Sequence, residues 1–186
     1  MFLSSHRALI VLQPDQIRGT FLDLPGETRN QIYAYVIYPN LSSVTIANCT
    51  KSEHLGASLL HPPLFRTCRQ IRAETLSYLC ATFSLKILGL PTAITFISCA
   101  GRATSEVKSI VLVQPALALL GSPEGQRMVD SFCSALDTMA ELEEITLTGL
   151  GMIPLLNEDQ GHPGFMERIE AMSTRGITVH TKSGER

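Results

Sequence analysis

Two stretches of this chain repeat one another: "SEVKSIVLV" (Ser105 to Val113) and "AELEEITLT" (Ala140 to Thr148) superpose at a shift of 35 residues. The match sets Glu106 on Glu141, Val107 on Leu142, Ile110 on Ile145 and Leu112 on Leu147, and Ile177 with Val179 repeats the last pair. Between the copies lies "SPEGQRMVDSFCSALDTMAEL", where Ser122 can cap, Pro123 fits a first turn, and Met128, Phe132, Leu136 and Met139 form one apolar stripe. That is a helix pattern. Strands that recur with a helix between them pair in parallel, because parallel neighbours need a long crossover. This unit constrains the fold more than any other feature of the chain.

The rest of the second half keeps the same rhythm. "FSLKIL" (Phe83 to Leu88) alternates Phe83, Leu85 and Ile87, and "PTAITFISCA" suits a short helix. "SIVLV" (Ser109 to Val113) is continuously apolar, which predicts a strand buried on both faces. "HPGFMERIEAMSTRG" reads as a helix closed by Gly176, and "ITVHT" (Ile177 to Thr181) as a last strand. The apolar spacing resembles the strand unit of leucine-rich repeats, which stack only when about three copies are present. From residue 89 to 186 we therefore expect a short parallel βα array.

The first half is organised differently. Residues 1–20 are expected to be an irregular leader, because Pro14, Asp15 and Gly19 break up the one apolar run. In "FLDLPGETRNQIYAYVIYP", Pro25 and Glu27 suit a helix start, while Leu24, Ile32, Val36 and Ile37 recur at helical spacing until Pro39. The prediction is a helix from Pro25 to about Ile37. "SVTIANC" (Ser43 to Cys49) reads as a strand, and "HPPLFRTCRQIRAETLSYLCATF" as a second helix opened by two prolines, with Leu64, Cys68, Ile71 and Leu79 on its apolar stripe.

Composition narrows the function classes. Hydrophobic residues make up 45% and charged ones 17%, enough to fold and to leave an apolar face for a partner. Met1 to Leu90 holds 8 Lys and Arg against 5 Asp and Glu, whereas Pro91 to Arg186 holds 7 against 12. Halves of opposite sign favour each other over a polyanion, which argues against nucleic acid. The five cysteines form no CxxC pair, so we expect reduced, buried thiols and a cytoplasmic or nuclear home. No stretch approaches the about 20 apolar residues of a membrane span, and the opening residues lack a secretory pattern.

Candidate chemistry is sparse. Cys68 lies among Arg66, Arg69 and Arg72, which lower a thiol's pKa, yet its place on the apolar stripe favours a structural role. His54, His61, His162 and His180 have no metal-ligand spacing, so no metal or cofactor is expected. The segment Gly149 to Gly164 comes after a parallel strand, where α/β proteins place ligands, and carries Asn157, Glu158, Asp159 and His162. It lacks a phosphate-loop pattern, and these four residues are the best small-ligand candidates. The three arginines can reach phosphate, but pairing with Glu27, Glu74 or the acidic second half is the expectation.

Two linked motifs point to a family. "LPGETRNQIY" and the later "CRQIRAE" resemble the fungal two-EXR domain, an F-box-like family, over residues 21–88. Leu24, Pro25, Glu27, Arg29, Ile32 and Tyr33 match its first helix, and Cys68, Arg69, Arg72 and Glu74 its second. The resemblance implies an F-box-like helix pair with a β insertion. More distantly it implies a substrate receptor that docks a ubiquitin-ligase adaptor through the helices and a substrate through a C-terminal array. Glu27, Arg29, Arg69, Arg72 and Glu74 are expected to form an ion-pair network between the helices, with Cys68 beneath. The expected fold is thus α/β, with an α+β first part, and the expected role a non-enzymatic intracellular interaction protein. A ligand-binding protein or enzyme using the Gly149 to Gly164 loop, and nucleic-acid binding through Arg66, Arg69 and Arg72, are the alternatives.

Overall fold

Five short strands lie side by side in the order in which the chain makes them: β1 (Ser43–Ile46), β2 (Ser84–Leu88), β3 (Ser109–Val113), β4 (Glu144–Thr148) and β5 (Thr178–Lys182). Every neighbouring pair is parallel. The helices are α1 (Gly26–Val36) before β1, then α2 (Arg69–Thr82), α3 (Leu90–Ala100), α4 (Pro123–Asp137) and α5 (Phe165–Thr174) between successive strands. This computed structural model describes residues 19–47, 51, 53, 59–60, 62–114, 122–149 and 165–182. The leader up to residue 18, Cys49, His54, His61 and the loop candidates Asn157, Glu158, Asp159 and His162 lie outside the described residues.

The sequence repeat is a ladder register. Ile110 pairs with Ile145 and Leu112 with Leu147, the shift of 35 seen in the sequence. One step on, Ile145 pairs with Val179, so the expected match to Ile177 slips by two residues. Ile177 instead lies ahead of β5 as a buried apolar residue, after Gly176 has turned the chain at φ 84°.

Alternate strand residues meet the helices. Val44, Ile46, Leu85, Ile87, Ile110, Leu112, Ile145 and Leu147 share one core cluster with Leu79, Phe96, Phe132, Phe165 and Ile169 from α2 to α5. On the opposite face Ser43, Thr45, Lys86, Thr178, His180 and Lys182 are exposed, Ser84, Ser109, Val111, Val113, Glu144 and Thr148 half-buried, and Thr146 buried. Among the described residues, helices thus cover one face of the sheet only. Parallel sheets are usually covered on both. The expectation that β3 is buried on both faces is corrected accordingly: Val111 and Val113 point to the open side. Strands from 21–88 and from 89–186 belong to the same sheet and the same core.

One helix start departs from expectation for a local reason, and α1 keeps its expected bounds to within a residue. The prolines before α2 open a separate 3-10 turn, Pro63–Arg66, and the chain breaks at Thr67 before Cys68 becomes the N-cap position. The buried face of α2 is then Thr75, Leu76, Leu79 and Cys80, with Leu64 and Ile71 half-buried and Cys68 exposed. In α1 the buried residue is Tyr33, joined by Ile37 just after it, while Leu24 and Val36 are exposed. Tyr38 and Asn40 take positive φ, which with Pro39 between them turns the chain toward β1.

Candidate functional site

The two helices that carry the family-like motifs meet through one carboxylate. Arg29 on α1 donates from Nε to Glu74 Oε2 at 2.8 Å and from Nη2 to Oε1 at 3.0 Å. This fork-to-fork geometry is the stronger kind of ion pair. The Tyr33 hydroxyl donates to the same Oε2 at 2.8 Å, and Gln70 Nε2 to Oε1 at 3.1 Å. Arg29 Nη1 also donates to the Leu22 carbonyl at 3.2 Å and to that of Leu24. One arginine thus fixes the turn before α1, α1 itself and α2.

The clasp sets the local electrostatics. Hydrogen bonds from Arg29 hold the Glu74 carboxyl below its usual range, and the same pair raises the Arg29 guanidinium. Burial, with the Glu74 carboxylate beside it, pushes the Tyr33 phenol up to about 12. Glu74 borders a cleft of about 610 Å³ with Arg29, Asn30, Ser77, Tyr78 and Glu106. Its oxygens already accept from three side chains, so it is a structural acceptor and not a free general base.

The remaining motif residues do not join the clasp. Glu27, Arg69, Arg72 and Cys68 are exposed, and none of the four forms an ion pair with a described residue. The expected five-member network with Cys68 beneath is therefore corrected to Arg29, Glu74, Tyr33 and Gln70. Pro25 is the N-cap position of α1 and Ile32 is half-buried. The acidic second half pairs with its own arginines: Arg168 reaches Asp130 at 3.2 Å and Asp137 at 3.6 Å, and Arg175 reaches Asp137 at 3.4 Å. Burial pushes Cys80 up to about 12 and Cys133 up to about 11, which leaves both thiols protonated. Cys99, like Cys68, is exposed, against the expectation of buried thiols.

A second surface is the open face of the sheet. Ser84, Lys86, Ser109, Val111, Thr146 and Lys182 are among the residues that line a shallow depression of about 570 Å³ across β2 to β5. Ser84 and Ser109 share a hydroxyl hydrogen bond of 3.0 Å, and His180 Nε2 lies 3.5 Å from Glu144 Oε1. Against family models, curated proteins and solved structures, the chain has no match.

At the C-terminal ends of the strands, where ligands often sit, the described residues pack on each other. Gln114 is buried, its Oε1 accepts from the Leu90 N–H at 3.0 Å, and its own N–H donates to the Thr148 carbonyl at 2.9 Å. Gly149 at φ 106° passes so close that an added Cβ would lie 2.6 Å from the Gln114 carbonyl oxygen. Sequence reasoning missed Gln114 and the open-face residues. The second set had a signal: polar residues at every other position, Ser84 and Lys86 in β2, Glu144, Thr146 and Thr148 in β4.

Proposed function

We propose that this protein is a non-enzymatic protein–protein interaction module in which the open sheet face receives a partner chain. The observation that carries the reading is the one-sided sheet: five parallel strands present one row after another of short hydroxyl, β-branched and charged side chains. Arrays of βα units commonly bind on such extended faces, because each added unit widens the surface without disturbing the core. Every large hydrophobic side chain exposed among the described residues, Leu24, Tyr35, Val36 and Leu41, falls on α1 or its flanks, with Tyr35 81% exposed. On this ground we assign α1 and its flanks to a second docking surface. The resemblance of "LPGETRNQIY" and "CRQIRAE" to F-box-like helices makes a ubiquitin-ligase adaptor the partner for that surface, and a substrate the partner for the sheet.

The test is affinity purification of the tagged full chain, with stoichiometry read by mass spectrometry, beside Lys86→Glu with Val113→Arg on the sheet and Tyr35→Ser on α1. The expected result is a stoichiometric partner lost from the sheet variant and an adaptor lost from Tyr35→Ser, both variants keeping the wild-type circular dichroism spectrum. Absence of any stoichiometric protein, or partners indifferent to both changes, refutes the reading.

A further inference from the structure

Four arginines gather at the start of α2 in a way the clasp and the sheet do not use. Arg69 and Arg72 of α2 and Arg102 of the 3-10 segment Gly101–Glu106 line one hollow of about 310 Å³, together with Leu76, Cys99 and Ala100. A second hollow of about 270 Å³ shares Arg72 and adds Arg66, with Leu60 and Phe65 as its apolar lining. The two form one basic groove joined at Arg72. We propose that this groove docks an acidic segment of a partner polypeptide, its carboxylates on the arginines.

Three observations carry the proposal. First, Arg29, Arg168 and Arg175 each have a carboxylate partner, whereas none of Arg66, Arg69, Arg72 and Arg102 forms an ion pair with a described residue. Second, Arg69 and Arg72 occupy the first turn of α2, which has neither an acidic residue nor a side-chain cap. Cations at that end oppose the helix dipole, so they cost stability in the free protein and an arriving anion offsets that cost. Third, the charges come from three separate elements and converge on one groove, which no helical repeat requires of a solvated face.

The occupant is a peptide and not a nucleic acid on the chemistry of the lining. Between the arginines lie Leu76, Ala100, Leu60 and Phe65, all buried, so the groove presents arginine heads and no aromatic face on which a base could stack. The chain's net charge of −2 also opposes a long polyanion. Nor does the groove draw on Asp130 or Asp137, each of which is already beside an arginine. This inference stands apart from the sheet-face reading, since the two surfaces share no residue.

Fluorescence anisotropy of the full chain with a labelled peptide of alternating glutamate and leucine tests it, beside a single-stranded oligonucleotide of equal charge. The peptide should bind at low ionic strength, weaken with salt, and lose about tenfold or more in affinity in Arg72→Gln with Arg102→Gln. Arg127→Gln, an exposed arginine of α4 outside the groove, should bind as wild type, and so should the sheet variant Lys86→Glu with Val113→Arg. Bound peptide should also slow alkylation of Cys99 by iodoacetamide, a readout in unmutated protein. Failure of the peptide to bind, equal binding by the groove variant, undiminished Cys99 labelling, or tighter binding of the oligonucleotide each overturns the proposal. Salt-sensitive self-association that the groove variant abolishes would do so too, naming a second copy of the chain as the occupant.

Discussion

Glu74 takes hydrogen bonds from three side chains on two helices, and its ionised form is the one all three want. Its lowered folded pKa means that the clasp's contribution is present above the unfolded carboxyl range and is lost as pH falls through the folded value. Tyr33 has the opposite sense. Its phenol is raised from 10.0 to about 12, so its share is intact below 10 and disappears as pH climbs toward 12. Tyr33→Phe should cost about 1 kcal/mol at neutral pH by losing one hydrogen bond, and should flatten the alkaline fall in thermal midpoint, leaving the part due to Tyr38, which burial also raises. Melting curves from pH 7 upward check both. Gly149→Ala should destabilise by about 1–3 kcal/mol or more, because the positive φ is strained for alanine and the methyl meets the Gln114 backbone; chemical denaturation measures it. The close approach at Gly149 is not legible in the sequence, and the clasp is legible only in part: Arg29 and Glu74 belong to the expected network, but three of its five members stay outside. Arg29 and Glu74 are 45 residues apart, and helical periodicity ranks faces without saying which acid meets which base.

At the scale of elements, local chemistry decides how well each can be read. Ser122, Pro123 and the apolar stripe agree on where α4 begins and which side it buries, and the structure has Ser122 Oγ accepting from the Gly125 N–H at 3.1 Å. Ser122→Ala should therefore lower stability by about 1 kcal/mol, seen as a shift in urea midpoint without a change in slope. The contrast is α2, where Pro62 and Pro63 resemble a helix start. They make a 3-10 turn that ends at Thr67, and of the predicted stripe Leu79 is buried and Leu64 and Ile71 are half-buried against the core, while Cys68, at the N-cap position, is exposed. A proline pair announces a start; it does not say whether the same helix continues. Ile177 misleads in a similar way, since a glycine turn before β5 uses residues that a pure repeat would count as strand.

For the whole molecule, the parallel α/β plan is legible because strands and helices alternate with clear periods. That the described helices cover one face only is not, because Val111 and Val113 make β3 look apolar throughout while β2 and β4 already alternate. The order β1-β2-β3-β4-β5 places β3 at the centre and the mostly exposed β5 at an edge. Native-state hydrogen exchange should therefore release β5 amides first and β3 amides last; equal protection across the sheet would contradict the stacked arrangement. The same order has a consequence for how the chain is made. Ladder partners are 41, 25, 35 and 34 residues apart along the four steps, and in each the neighbour already laid down is the one required. From β2 onward, each strand that a chain emerging N-terminus first produces finds the neighbour before it already made, so the sheet can be completed row by row at the pace of translation.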